Sequence, residues 1–146
     1  MAHSIQRSAL VTFSARQMFD LVNDIEAYPQ YMDGCKSAKI LKREGDWLEA
    51  RLELSKAGVT QSFVTRNHLQ APERMSIALV DGPFKRLQGS WHFTPLGENA
   101  CKVSFELEFE LQNKILGMAV GRLFELVAGK QVDALCERAR QIYKYE

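Results

Sequence analysis

From Cys101 to Leu111 the chain alternates without interruption. Val103, Phe105, Leu107, Phe109 and Leu111 are apolar, and Lys102, Ser104, Glu106, Glu108 and Glu110 between them are polar or charged. Only an extended strand, with its two-residue period, sends all the apolar side chains of such a segment to one face. A helix would scatter them around its surface. One face of this strand is therefore wet and the other must be covered, the pattern of an antiparallel sheet with a single packed side. A candidate cover follows at once. Over residues 114–143, Leu116, Val120, Leu123, Phe124, Val127, Leu135, Ala139 and Ile142 recur at three- and four-residue spacing, the stripe of an amphipathic helix. A helix of about thirty residues spans about 45 Å, longer than a sheet of this size is wide.

The rest of the chain reads as the remainder of that sheet. A strand is expected at residues 4–12, with Ile5, Ala9 and Val11 on one face. Ser14 and Gln17 then form a capping box, with Phe13 and Met18 at the staple positions. Phe19, Leu21, Val22 and Ile25 follow at helical spacing, Pro29 is expected in the first turn of a second short helix, and Asp33-Gly34 ends the pair. Strands are predicted at 36–43, 47–55, 59–69, 75–80 and 86–94, separated by turns such as Glu44-Gly45-Asp46, Asp81-Gly82-Pro83 and Gly97-Glu98-Asn99. Short turns make successive strands antiparallel neighbours. The expectation is one α+β domain over residues 1–146: a seven-stranded curved antiparallel sheet, two short helices after the first strand, and a long C-terminal helix.

With 19 Lys+Arg against 18 Asp+Glu, the net charge of +1 provides no long-range field for polyanions, and DNA is not an expected partner. The nearest thing to a basic patch is Lys36, Lys39, Lys42 and Arg43. Cys35, Cys101 and Cys136 have neither zinc nor redox-pair spacing and read as reduced thiols of a cytoplasmic protein. No signal segment is evident, and the longest apolar run, residues 115–120, is far short of the ~20 residues of a membrane helix.

A strongly twisted sheet of this size curls. One straight helix laid across it leaves a gap, to be filled by other elements, by large side chains or by a ligand. Because the inward residues are nearly all apolar, an unfilled gap would be dry and suited to a lipid-like or aromatic guest. The sheet residues predicted to face it are Phe63, Ile77, Leu79, Phe84, Trp91, Phe105 and Phe109; from the helix they are Leu116, Val120, Phe124 and Val127. Gly117 and Gly121 lie one turn apart on that helix; either close approach of the sheet or of a ligand offsets their cost of about 1 kcal/mol each, or they loosen the helix without a functional reason. On the strand at 59–69, Gln61, Thr65 and Asn67 share the inward face with Val59, Phe63 and Leu69, so their polar groups need partners: a ligand head group, water or backbone.

Catalytic chemistry finds little footing. Glu106, Glu108 and Glu110 have carboxylate-pair spacing but share the wet face of their strand, where nothing raises a pKa. His3, His68 and His92 are scattered without ligand spacing, with His68 and His92 expected on outward faces. Ser55, Ser76 and Ser104 lack a nucleophile-elbow context, and no phosphate-binding glycine loop occurs. The reading is binding rather than catalysis, with no metal and no cofactor.

Several stretches also resemble a known family: Phe19-Asp20-Leu21-Val22 with Tyr28-Pro29 and Cys35; Val80-Asp81-Gly82-Pro83-Phe84 followed by Leu87 and Trp91-His92-Phe93; and Val103-Ser104-Phe105 with Phe109-Glu110. The chain resembles the START-like helix-grip domains, in their coenzyme Q-binding branch, which includes bacterial RatA proteins and the mitochondrial coenzyme Q chaperone. The resemblance covers nearly the whole chain. It implies a helix-grip fold whose internal tunnel receives ubiquinone or a related polyprenyl lipid, in a carrier or chaperone role in respiration, with transient membrane contact. It also implies an alternative, a bacterial cytoplasmic toxin that binds the large ribosomal subunit and blocks subunit joining.

Overall fold

The computed structural model describes residues 2–143, the side chains of Ala2, Lys114 and Leu116 excepted. β1 (Ala2–Val11) is followed by α1 (Ala15–Asn23) and a 3-10 helix, Ile25–Gln30. A continuous meander comes next: β2 (Cys35–Glu44), β3 (Trp47–Lys56), β4 (Val59–Gln70), β5 (Arg74–Asp81), β6 (Phe84–Gly97) and β7 (Ala100–Leu111). The chain ends with α2 (Lys114–Ala128) and α3 (Gln131–Ile142). The sheet order is β1-β7-β6-β5-β4-β3-β2, every neighbour antiparallel. β1 and β2 therefore stand at opposite edges, and residues 12–34 must cross the width of the sheet between them.

The alternation of β7 is realised. Val103, Phe105, Leu107, Phe109 and Leu111 are buried, while Lys102, Glu106 and Glu108 are exposed. The start of α1 is set by its capping box: Ser14 Oγ accepts the Gln17 N–H at 3.1 Å, and Gln17 Oε1 accepts the Ser14 N–H at 2.9 Å. Pro29 is not in the first turn of the next helix, as its spacing predicts, but is the fifth of six residues in a 3-10 segment. That segment starts earlier because Ile25 and Tyr28, three apart, are both buried, and a three-residue turn stacks such a pair on one side. The Tyr28 hydroxyl ties the segment back to α1 by donating to the Val22 carbonyl.

The C-terminal helix is bent, where periodicity alone predicts one straight rod. It breaks at Gly129-Lys130. A Cβ at position 129 would lie 2.6 Å from the Glu125 carbonyl oxygen, so the bend leaves no room for a side chain unless the backbone shifts. A guanidinium nitrogen of Arg7 lies 3.2 Å from the same point, placing a cation at the C-terminal end of α2, where the helix dipole favours it. The bend has a purpose in packing. α2 lies over β3, β4 and β7 in the middle of the sheet, and α3 turns to pack on α1 and along β1. A straight helix would leave one of these surfaces uncovered.

Of the other two helical glycines, only Gly121 answers to the sheet. Gly121 sits over the His3 ring, whose atoms would lie 3.2 Å from an added Cβ. That ring stacks on Phe109 at 4.8 Å and reaches Glu125 Oε1 at 3.3 Å. At Gly117 an added Cβ would meet nothing nearer than Leu111, at an ordinary 3.5 Å. Gly117→Ala is accordingly expected to raise stability by about 0.5–1 kcal/mol through helix propensity. Gly129→Ala is expected to lower it by about 1–3 kcal/mol through overpacking at the bend. Urea unfolding of the two variants checks the pair, and equal effects would contradict this account of the bend.

Candidate functional site

The concave face of the sheet is built in cross-strand rows. Asn67 of β4 stands opposite Leu48 of β3 and Ile77 of β5, and Ile77 stands opposite Gly89 of β6, which faces Leu107 of β7. In the next row Trp91 of β6 stands between Met75 and Phe105. Gly89 is required there: a Cβ would lie 2.5 Å from the Glu106 carbonyl oxygen, because the coiled sheet brings β7 hard against it.

Between these rows and the helices lies a chamber of about 60 Å³. Its sheet wall includes Ala50, Leu52 and Leu54 of β3, Phe63, Thr65 and Asn67 of β4, Met75 and Ile77 of β5, Leu87 and Trp91 of β6, and Phe105 and Leu107 of β7. Phe124 and Ala128 of α2, Gln131 of α3, and Ile25 and Tyr28 of the 3-10 helix complete it. Leu52, Ile77 and Gln131 are only half-buried and mark its solvent side. The volume decides what fits. A dry cavity that takes benzene measures about 150 Å³, so a six-membered ring enters this chamber only if the walls move apart.

The chamber is small because aromatic side chains occupy the rest of the concavity. Phe124 of α2 lies 5.1 Å from Phe63, 5.2 Å from Phe84 and 5.3 Å from Phe109, ring centre to ring centre. Trp91 packs on Phe105 at 4.5 Å. Of the residues predicted from sequence to face the gap, Phe63, Ile77, Trp91, Phe105 and Phe124 line the chamber. Phe84 and Phe109 instead fill the neighbouring space as members of the aromatic cluster. Leu79 is half-buried beside Thr65, outside the wall. Val120 is buried in α2 without reaching it. Val127 packs over Gly34, where its Cγ2 lies 2.5 Å from the position a Cβ would take; Gly34 has φ +91°. The side chain of Leu116 lies outside the described residues. Among the lining residues that the sequence left unnamed as sites, Ala50, Leu52 and Leu54 alternate as plainly as β7 does. Ile25, Tyr28 and Gln131 carried no such signal, since their place depends on where the 3-10 helix and the bend come to rest.

Four polar side chains belong to the wall: Thr65 and Asn67 from the sheet, Tyr28 from the 3-10 helix and Gln131 from α3. Thr65 and Asn67 are 4% and 6% exposed. Thr65 Oγ1 donates to Asn67 Oδ1 at 3.0 Å, and Asn67 Nδ2 donates to the Met75 sulfur at 3.6 Å. Tyr28 is the one titratable lining residue among those described. Burial first, with Tyr31, Cys35 and Asp24 adding, pushes its phenol well above the ordinary range. Burial likewise raises the Cys35 and Cys101 thiols to about 11, Cys136 adding at Cys101. The chamber thus presents no group poised to exchange protons near neutral pH.

Outside the chamber, the glutamates of β7 hold surface partners. Glu108 and Glu110 face Arg86, and Glu106 accepts the Ser90 hydroxyl at 3.0 Å. Ser90 also lies 3.1 Å from His92 Nε2, but it stands between acid and imidazole, so the carboxylate does not orient the histidine. Lys36, Lys39, Lys42 and Arg43 are exposed on edge strand β2. Lys42 lies over the Trp47 ring at 5.5 Å, and Lys39 stands opposite Arg51. No group of three metal-ligating residues occurs among the described residues, and none of their helices is long and apolar enough to cross a membrane.

Residues 11–136 match the family described as polyketide cyclase/dehydrase and lipid transport. The chain belongs to that family. It is 45% identical over 139 residues to the ribosome association toxin RatA of Escherichia coli K12, covering 95% of this chain and 88% of that one. It is 26% identical over 140 residues to a mitochondrial coenzyme Q-binding protein homolog of Xenopus laevis, covering 93% of this chain and 57% of that protein. Among solved structures of the same START-like fold, a START superfamily protein from Mycobacterium smegmatis superposes with a TM-score of 0.81 at 26% identity, over 96% of this chain and 99% of that one. The Zhui aromatase/cyclase from Streptomyces sp. R1128 superposes with a TM-score of 0.84 at 14% identity, over 97% and 96%. That second likeness concerns the fold alone.

The raised thiols have a consequence for stability. Folded Cys35 and Cys101 keep their protons to about pH 11, while the unfolded chain releases them from about pH 8.5 upward. Their contribution is full below that lower limit and is lost as pH rises through the folded values. Urea unfolding measured from pH 8 to 11 is expected to show a falling free energy, with a shallower fall in Cys35→Ala and Cys101→Ala.

Proposed function

We propose that this chain is a non-catalytic binding protein whose chamber takes the ring of a polyprenyl quinone such as ubiquinone, or of a lipid of similar character, in a carrier or chaperone role. The observation that carries this reading is the chamber itself: mostly apolar walls with a few polar side chains and, among the described residues, no acid–base or metal-ligating set. The coenzyme Q-binding relative supports the choice of ligand class. Seating a ring requires the chamber to widen from about 60 Å³ toward the ~150 Å³ of a dry cavity that binds benzene. Leu52, Ile77 and Gln131 are the half-buried members of the wall, and Gln131 directly follows the bend at Gly129-Lys130. Native mass spectrometry of the purified protein and thermal unfolding with a short-chain ubiquinone test it. A bound lipid, or a midpoint that rises with quinone concentration, is expected. Absence of both overturns the reading.

A second reading is favoured by a specific observation: relatives 45% identical over 95% of the chain are named ribosome association toxins. On this reading the outer surface binds the large ribosomal subunit in the bacterial cytoplasm, and the exposed cations of β2, with Lys39 and Arg51 side by side, are its natural contact with RNA. Like charges directly opposite on a sheet are unfavourable, and a polyanion relieves them. Sedimentation with ribosomal subunits is expected at low salt and to fall steeply as salt rises. Failure to co-sediment at low salt sinks it. The two readings use different surfaces and are compatible.

A further inference from the structure

Thr65 and Asn67 are an unusual choice for the inner face of a central strand. Their neighbours across the sheet are Ala50 and Leu79 for Thr65, and Leu48 and Ile77 for Asn67. Apolar residues at both positions would satisfy that surroundings at no desolvation cost. An asparagine amide has two N–H donors. At Asn67 the carbonyl end is held by Thr65, which turns the amino end toward Met75, and the acceptor it finds there is a thioether at 3.6 Å. Sulfur is a weak acceptor, and a buried donor without a good acceptor is costly. Met75 also lines the chamber, and its side chain is of the flexible kind that gives way readily.

We infer that Asn67 is the polar recognition point of the chamber, positioned by Thr65, and that it selects ligands carrying a carbonyl or similar oxygen acceptor on the buried end of an apolar ring. This rests on the ligand reading above and narrows it. The incoming oxygen replaces the Met75 sulfur as acceptor of the Asn67 N–H, exchanging a weak hydrogen bond for an ordinary one. An all-hydrocarbon ring of the same size gains nothing there and leaves the amide as poorly paired as before.

The test compares duroquinone with durene, the same tetramethylated ring with and without its two carbonyl oxygens. Quenching of tryptophan fluorescence reports quinone binding, since Trp91 is in the wall, and competition against duroquinone reports durene. The native protein is expected to bind duroquinone about tenfold more tightly, the scale of one buried hydrogen bond. Asn67→Leu is expected to lose that tenfold while durene binding holds or improves, and Thr65→Val, which releases the amide, to lose part of it. The double variant Thr65→Val/Asn67→Leu is expected to unfold at the same or a higher temperature than the native protein, because two poorly used polar groups leave the core together. Equal affinity of the native protein for the two probes, or a double variant with a clearly lower midpoint, overturns the inference and leaves ligand binding standing. Binding of neither probe by the native protein overturns the ligand reading and this inference with it.

Discussion

Phe124 is where helix and sheet take hold of each other. Its ring sits among Phe63, Phe84 and Phe109, which come from three different strands. Aromatic contacts of this kind add about 0.5–1.5 kcal/mol per pair beyond their buried area. Their rigidity matters as much as their energy. The cluster sets how closely α2 approaches the sheet, and so sets the height of the chamber beside it. It also fills the part of the concavity beside Phe84 and Phe109, leaving open the part walled by β3, β4 and β5 together with Trp91 of β6 and Phe105 of β7. The chamber lies where it does because the phenylalanines lie where they do.

The bend at Gly129-Lys130 is the complement of that contact. With α2 anchored by Phe124, α3 can reach α1 and β1 only by changing direction. Gly34 performs a similar service on the other side of α2, letting the turn before β2 come within contact of Val127. Two glycines at two close approaches thus hold the helical layer over a sheet that is not flat. The same arrangement places Ala128 and Gln131, one on each side of the bend, in the chamber wall.

The family joins cyclases and dehydrases with lipid transport, and the curated relatives of this chain are named for different partners. RatA relatives carry a ribosome name, and the coenzyme Q-binding relative carries a ligand name. The resemblance to a cyclase in fold brings no chemistry with it. In this chain the inner surface has Tyr28 as its titratable group, and that phenol is buried, raised and already donating to the Val22 carbonyl.

Much of this was legible in the chain. The period of two in β3, β4 and β7, the capping box at Ser14 and Gln17, the turn glycines and the amphipathic stripe after Leu111 are local properties, written by the geometry of an extended or helical backbone within a few residues. They yield seven strands, the inward faces, and even the odd presence of Thr65 and Asn67 among apolar neighbours. What the tertiary structure decided was non-local. Whether Phe84 and Phe109 line a cavity or fill it depends on rings brought from strands and a helix far apart in sequence. The place of the bend depends on a carbonyl, a guanidinium and the coil of the sheet meeting at Gly129. The size of the chamber is the difference between the volume enclosed by a curved sheet and the volume of the side chains inside it, and a difference of that kind exists only once every element is packed against the others.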